Sequence, residues 1–304
     1  MAFTATDVKT LREMTGVGMM DCKKALTATD GDMDKAVEWL REKGLAAAQK
    51  KAGRIAAEGM AYATVINGVG VVVEVNAETD FVAKNELFVD FTKGVAQVVA
   101  EQNPADLEAL MACKYLDTDL TVEQTQQDKV LVIGENIKVR RFARYAEGFN
   151  VPYVHMGGRI GVLVSMETAS SDPAVTELGK DIAMQIAALN PTFLDKSEVS
   201  EEFIENEKKI RLAQAKEDPK NANKPDNIIE KIITGGLNKY FKEICLLQQP
   251  FVKDDKVSVE QHVAAVAKQV GADIKVLGYT RFEKGEGIEK KQENFAEEIA
   301  SLVK

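Results

Sequence analysis

One succession of signals occurs twice in this chain, and it limits the fold more than any other feature. Met60 to Ile66 alternates in polarity, Asn67-Gly68 supplies a two-residue turn, and Val69 to Val75 returns as a β-rich run. A polar break, Asn76 to Asn85, separates that hairpin from a stretch with Leu87, Phe88, Phe91, Val95, Val98 and Val99, which stops before Asn103-Pro104. The second occurrence leads from Gly157-Gly158-Arg159 into Ile160 to Ser165 and crosses a polar loop. It then enters a stretch marked by Leu178, Ile182, Ile186 and Leu189, and it too stops at an Asn-Pro, Asn190-Pro191. Alternation around Asn-Gly predicts a hairpin, and apolar residues three or four apart predict a helix. A hairpin with an apolar face must bury it under another element, and the helix is the neighbour in sequence. The class expected is α+β, with a hairpin-plus-helix core related by duplication.

The two copies differ in their loops. Thr79-Asp80-Phe81-Val82 places a large aromatic in a short polar break, whereas Glu167 to Pro173 contains none. On the residues alone two readings of Phe81 stay open. It can fold back as a staple onto Leu87 or Phe88, or it can project into another protein.

Around this core the chain reads as helical. Thr6 is expected to cap a first helix with Val8, Leu11 and Met14, ended by Gly16; a second carries Met20, Lys23, Lys24 and Leu26. Asp32 caps a third, with Met33, Ala36, Val37 and Leu40 on one face and Gly44 in the closing position. So small a bundle needs support from its neighbours or from a partner. Met19 and Met20, beside Gly18, read either as core or as an adaptable contact surface. An Ala-rich helical connector with Lys50, Lys51 and Arg54 follows. The stretch from Ala105 to Gln127, rich in acids and glutamine, reads as an insert with no evident role beyond linking. Farther on, Phe203, Ile204, Ile210 and Leu212 mark an outgoing helix, and Ile229, Ile233, Leu237, Tyr240 and Ile244 mark a returning one. Between them lies the polar tip Lys216 to Asn227. A helix at Val259 to Val270, a strand at Ile274 to Phe282 that can join the second sheet, and a last amphipathic helix with Phe295, Ile299 and Leu302 complete the chain.

Composition then excludes several function classes. Among 304 residues, Lys and Arg number 39 against 48 Asp and Glu, a net charge of -9, and aromatics are 6%. Phosphate binding needs clustered cations and base stacking needs aromatic platforms, so direct nucleic-acid binding is disfavoured. Cys22, Cys113 and Cys245 are scattered and only His155 and His262 accompany them, which leaves no metal-ligand spacing and fits a reducing cytoplasm. No basic-then-apolar leader and no apolar run of about 18 residues occurs, so neither secretion nor a membrane span is expected. The phosphate loop Gly-x-x-x-x-Gly-Lys-Ser/Thr and the Gly-x-Ser-x-Gly elbow are both missing, and no nucleophile–base pair stands out. The expectation is a protein that is not an enzyme and carries no cofactor or metal.

The same residues resemble a known family. Leu11–Leu26, reading LREMTGVGMMDCKKAL, looks like the N-terminal signature of bacterial elongation factor Ts proteins, and Glu74–Asn85, EVNAETDFVAKN, is similar to their second signature. Further matches follow in order: Ile133–Ile137 (IGENI), His155–Val164 (HMGGRIGVLV), Cys245–Phe251 (CLLQQPF) and Arg281–Glu289 (RFEKGEGIE). The resemblance implies guanine-nucleotide exchange on the GTPase elongation factor Tu during translation. It also implies a division of the chain. Residues 1–45 would be a UBA-like three-helix domain, 46–58 a helical connector and 59–150 the first core subdomain. The second core subdomain would comprise 151–197 and 251–284, with 198–250 a helical dimerisation module and 285–304 a C-terminal docking helix. Carried over by motif, Asp80, Phe81, Val82 and Ala83 would disturb the partner's magnesium and phosphate site, with Phe81 entering between two of its helices. Ile133, Gly134 and His155 would lie in or near that interface, and Arg12, Met19 and Met20 would touch the nucleotide-binding domain. The helical module leaves open a homodimer or a 2:2 heterotetramer with elongation factor Tu. The competing expectation is a UBA-like adaptor or chaperone without exchange activity.

Overall fold

A computed structural model describes residues 3–217 and 224–289 of the chain. Three helices come first: α1 (Ala5–Thr15), α2 (Met19–Ala28) and α3 (Met33–Lys51). Strands β1 (Glu58–Ile66) and β2 (Val69–Ala77) precede the short α4 (Asp80–Ala83), then α5 (Glu86–Gln102), α6 (Leu107–Ala112) and α7 (Val122–Ile133). Strands β3 (Lys138–Tyr145), β4 (Phe149–His155) and β5 (Ile160–Thr168) lead to α8 (Pro173–Leu189), α9 (Glu201–Glu217) and α10 (Asp226–Ile244). Last come β6 (Pro250–Phe251), β7 (Asp254–Ser258), α11 (Val259–Val270) and β8 (Ile274–Glu283). The mixture is α+β. The expected C-terminal helix, with Phe295, Ile299 and Leu302, lies outside the described residues.

The repeated signal becomes a repeated topology. The first sheet runs β1-β2-β3 and the second β4-β5-β8, all antiparallel. In each, a hairpin is followed by a 17-residue helix, and a later strand pairs with the hairpin's second strand. Both central strands carry a bulge at the same point along their length, at Glu74/Val75 and at Ser165/Met166. Asn67 and Gly68 both take positive φ in the first turn, as a tight hairpin twisted like its strands requires. Helices α5 and α8 each end on an asparagine in the left-handed region, Asn103 and Asn190. That conformation turns the chain away where the following proline cannot continue the helix.

The two sheets pack face to face. Ala61, Ala63, Val72, Leu163 and Phe282 form the layer between them. The sheets approach so closely that a Cβ on Gly161 would stand 3.0 Å from the Ala61 carbonyl. Helices cover the outer faces: Phe88, Phe91 and Val95 of α5 lie on Val71, Val73 and Val75, and Leu178, Ile182 and Ile186 of α8 lie on Val162, Val164 and Met166. Strands β2 and β5 are thus covered on both sides, which is why they read as unbroken apolar runs rather than alternations.

Several expectations need correction. Thr4, not Thr6, caps α1: Thr4 and Asp7 exchange hydrogen bonds in a capping box, so the first turn begins two positions earlier. Gly44 does not end α3. The Leu-Ala-Ala-Ala run after it carries the helix to Lys51, outweighing the ~1 kcal/mol a mid-helix glycine costs. Gly44 instead lies buried against Gln127 of α7. The connector is therefore helical only to Lys51, and residues 52–57 lead into β1 without helix. Strand β4 opens at Phe149, inside the segment assigned to the first half of the core. Residues 105–127 do more than link, because Leu110 of α6 and Val122 and Val130 of α7 are buried in the first core. On its other side α7 offers Leu131 and Val132 to the N-terminal bundle. The hairpin of α9 and α10 packs Phe203 on Tyr240 and is anchored at its base, where the Thr192 and Phe193 N–H groups donate to Ile244 O.

Candidate protein-docking site around Phe81

The loop after β2 is built to expose one side chain. Thr79 caps α4 by accepting from the Val82 N–H at 3.3 Å, and this single turn sets which residues face inward. Val82 and Ala83 are buried, and Val82 joins the first core. Phe81 turns the other way and is 81% exposed, the most exposed large apolar side chain among the described residues. The staple reading fails: Val82 and Ala83 supply the inward contacts. Asp80 is also exposed and pairs with Lys84 one turn on, at 2.9 Å. That hydrogen bond, with a smaller contribution from Lys284, holds the Asp80 carboxyl below the usual range.

The loop's foot is held from a distance. Glu135, just after α7, accepts from the Glu78 and Thr79 N–H groups and from the Thr79 hydroxyl. Glu78 in turn accepts from the Asn136 N–H and from Arg54. Gly134, expected at the interface, is the left-handed cap of α7 with φ 89°; Ile133 is half-buried and packs on the first core. The structure therefore brings Ile133 and Gly134 together with the Asp80–Ala83 loop, with Glu135 between them.

Two further groups stand apart. Arg12, Met19 and Met20 lie exposed on the N-terminal bundle, and Met14 joins them. Unbranched thioether side chains left in water form a surface able to shape itself to another. His155 closes β4, with its Nδ1 2.9 Å from the Tyr153 hydroxyl. The turn after it exposes Met156 and passes the Gly158 carbonyl to the Ala61 N–H of β1. Strand β1 begins at Glu58, which pairs in register with Ala77 at the foot of the Phe81 loop. His155 thus belongs to the same end of the sandwich as Phe81.

The sequence profile of the family described as Elongation factor TS matches residues 78–286. Over 303 residues the chain is 51% identical to elongation factor Ts of Clostridium perfringens (strain SM101 / Type A), covering 98% of each. It is 50% identical over 307 residues to elongation factor Ts of Syntrophotalea carbinolica, covering all of both chains. The chain belongs to the elongation factor Ts family. The exposed loop that carries Phe81 and the clasp that holds it both fall inside the matched span, while the methionine patch precedes it.

No helix among the described residues is long and apolar enough to cross a membrane. No group of three or more His, Cys, Asp or Glu among them is arranged to hold a metal ion. Sequence reasoning missed Glu135, Glu78 and Met14. Thr79 was legible as a cap, but nothing local to Glu135 signals that it reaches a segment 56 residues earlier.

Proposed function

We propose that this chain is the guanine-nucleotide exchange factor of elongation factor Tu. Family membership over the whole chain supports the reaction class. The observation that carries the mechanism is Phe81, an aromatic 81% exposed on a loop whose base is tightly bonded. In this reading Asp80–Ala83 presses into the partner's magnesium and phosphate site, and Phe81 enters between two of its helices. Arg12, Met19 and Met20, on a bundle read as UBA-like, dock on the nucleotide-binding domain, with Ile133, Gly134 and His155 at or near the contact. The segment from residue 285 onward adds a docking helix, and the α9–α10 hairpin serves assembly as a homodimer or a 2:2 heterotetramer.

Accelerating nucleotide release about a thousandfold requires ~4 kcal/mol of differential binding. Burying one phenylalanine supplies ~1.5–3 kcal/mol. Phe81 is therefore necessary but insufficient, and the bundle contact must help hold it in place. The deciding experiment mixes the full chain with elongation factor Tu loaded with labelled GDP and follows release. The expected result is strong acceleration; an unchanged rate would sink the exchange reading and leave the adaptor reading, in which the bundle alone binds a partner.

A further inference from the structure

The inference concerns what aims Phe81, and it rests on reading Phe81 as the exchange wedge. We propose that Glu135 is a positioning residue of the exchange reaction, fixing the direction in which Phe81 leaves the surface. A four-residue helix such as α4 cannot hold its own orientation, because one turn fixes several backbone dihedrals for a single hydrogen bond. Its orientation must be imposed from outside, and the bonds that impose it converge on one carboxylate.

Glu135 Oε2 accepts from the N–H groups of Glu78 and Thr79, each at 3.0 Å, while Oε1 accepts from the Thr79 hydroxyl at 2.7 Å. The same Thr79 oxygen accepts from the Val82 N–H, so the carboxylate grips the very atom that starts the turn. A return arm closes the clasp. Glu78 Oε1 accepts from the Asn136 N–H at 2.6 Å, and the buried Asn136 side chain donates to the Arg54 carbonyl at 2.8 Å. Each segment thus holds the other's backbone, and neither can rotate alone.

What Glu135 is attached to matters as much. Gly134 ends α7 in the left-handed region and reverses the chain so that Glu135 meets the loop. Helix α7 is buried in the first core through Val122 and Val130 and carries the bundle on Leu131 and Val132. The wedge is therefore aligned to the same helix that carries the methionine patch, and both contacts reach a partner as one rigid arrangement.

The test measures maximal stimulated GDP release and half-saturating concentration for the full chain and four variants. Glu135→Ala is expected to lower the maximal rate about tenfold while changing half-saturation by less than ~3-fold, the signature of a contact needed in the exchange step rather than in docking. Glu135→Gln is expected to restore most of the rate, since its amide oxygen can accept both backbone N–H groups while its NH2 donates to Thr79 Oγ1. The double variant Glu135→Ala/Phe81→Ala should be no slower than Phe81→Ala, because the two residues act as a unit. A wild-type rate for Glu135→Ala, losses that multiply in the double variant, or no rescue by glutamine would each overturn the positioning role. Should Glu135→Ala lose cooperative melting, Thr79→Val removes the same hydroxyl bond and is read by the same rate criteria. An unchanged rate for Phe81→Ala is a separate failure: it removes the wedge reading and this proposal with it.

Discussion

At the scale of single residues, the division of labour within Asp80–Ala83 is the informative point. Val82 and Ala83 anchor the loop, and Phe81 forgoes the ~1.5–3 kcal/mol that burial of a large apolar side chain supplies. Removing it therefore takes nothing from the core. Phe81→Ala is expected to leave stability within ~0.5 kcal/mol of wild type while slowing GDP release from elongation factor Tu. Thermal melting beside exchange kinetics checks both halves, and a destabilised variant would mean that Phe81 packs after all. What was legible here was local. Asn67-Gly68, Asn103 and Asn190 announce their turns because the conformation is decided by the residues themselves. Which of Phe81 and Val82 faces inward is the phase of one helical turn, and Thr79 and Glu135 fix it together across 56 residues. No window of sequence contains that information. Met19 and Met20 failed for a related reason: amphipathic spacing locates a helix, but whether its second face is covered depends on where the bundle docks.

At the scale of elements, α7 decides more than its modest length suggests. Its acidic, glutamine-rich approach disguises it as a link, yet it packs against both α3 and the first core. Asp128 lies in that seam, and burial raises its carboxyl pKa, partly offset by Arg41 and Lys129. A raised folded-state pKa means that the native state binds this proton more tightly than the unfolded chain does. The contribution is favourable in acid, below the unfolded value near 3.8, and is lost as pH rises through the folded value. Asp128→Asn is accordingly expected to raise Tm at pH 7 and to lose that advantage in acid; melting curves at the two pH values decide it. The bundle itself has a small core, in which Leu11 and Leu26 are fully buried. Leu26→Ala should cost about 2–5 kcal/mol, enough to open so small a unit locally. Hydrogen exchange should then show α1 to α3 losing protection while β2 and β5 keep theirs, and equal loss everywhere would contradict it.

At the scale of the whole molecule, the halves are joined by a charged knot as well as by apolar contact. Glu74, fully buried in β2, accepts from Arg140, Arg141, Asn76 and the Gly285 N–H. Arg141 also reaches the Glu286 carboxylate, which ties the chain leaving β8 to the first sheet. Glu74→Gln is expected to cost about 3 kcal/mol, the lower end for a broken buried pair because both guanidinium groups still touch water. Urea denaturation measures it, and a loss no larger than that of a surface ion pair would show the knot to be incidental. Coupling with the partner runs in both directions: if this chain weakens GDP binding, GDP weakens the complex by the same factor. The loop of the second copy, Glu167 to Pro173, forms strand, turn and helix with no aromatic at all. Folding therefore exerts no demand for Phe81, and quality control that senses misfolding is blind to its loss. A chain stripped of it is expected to accumulate intact and still engage its partner through the methionine patch. Such a variant would act as a competitor in mixed populations, so its harm would be dominant rather than a simple deficit.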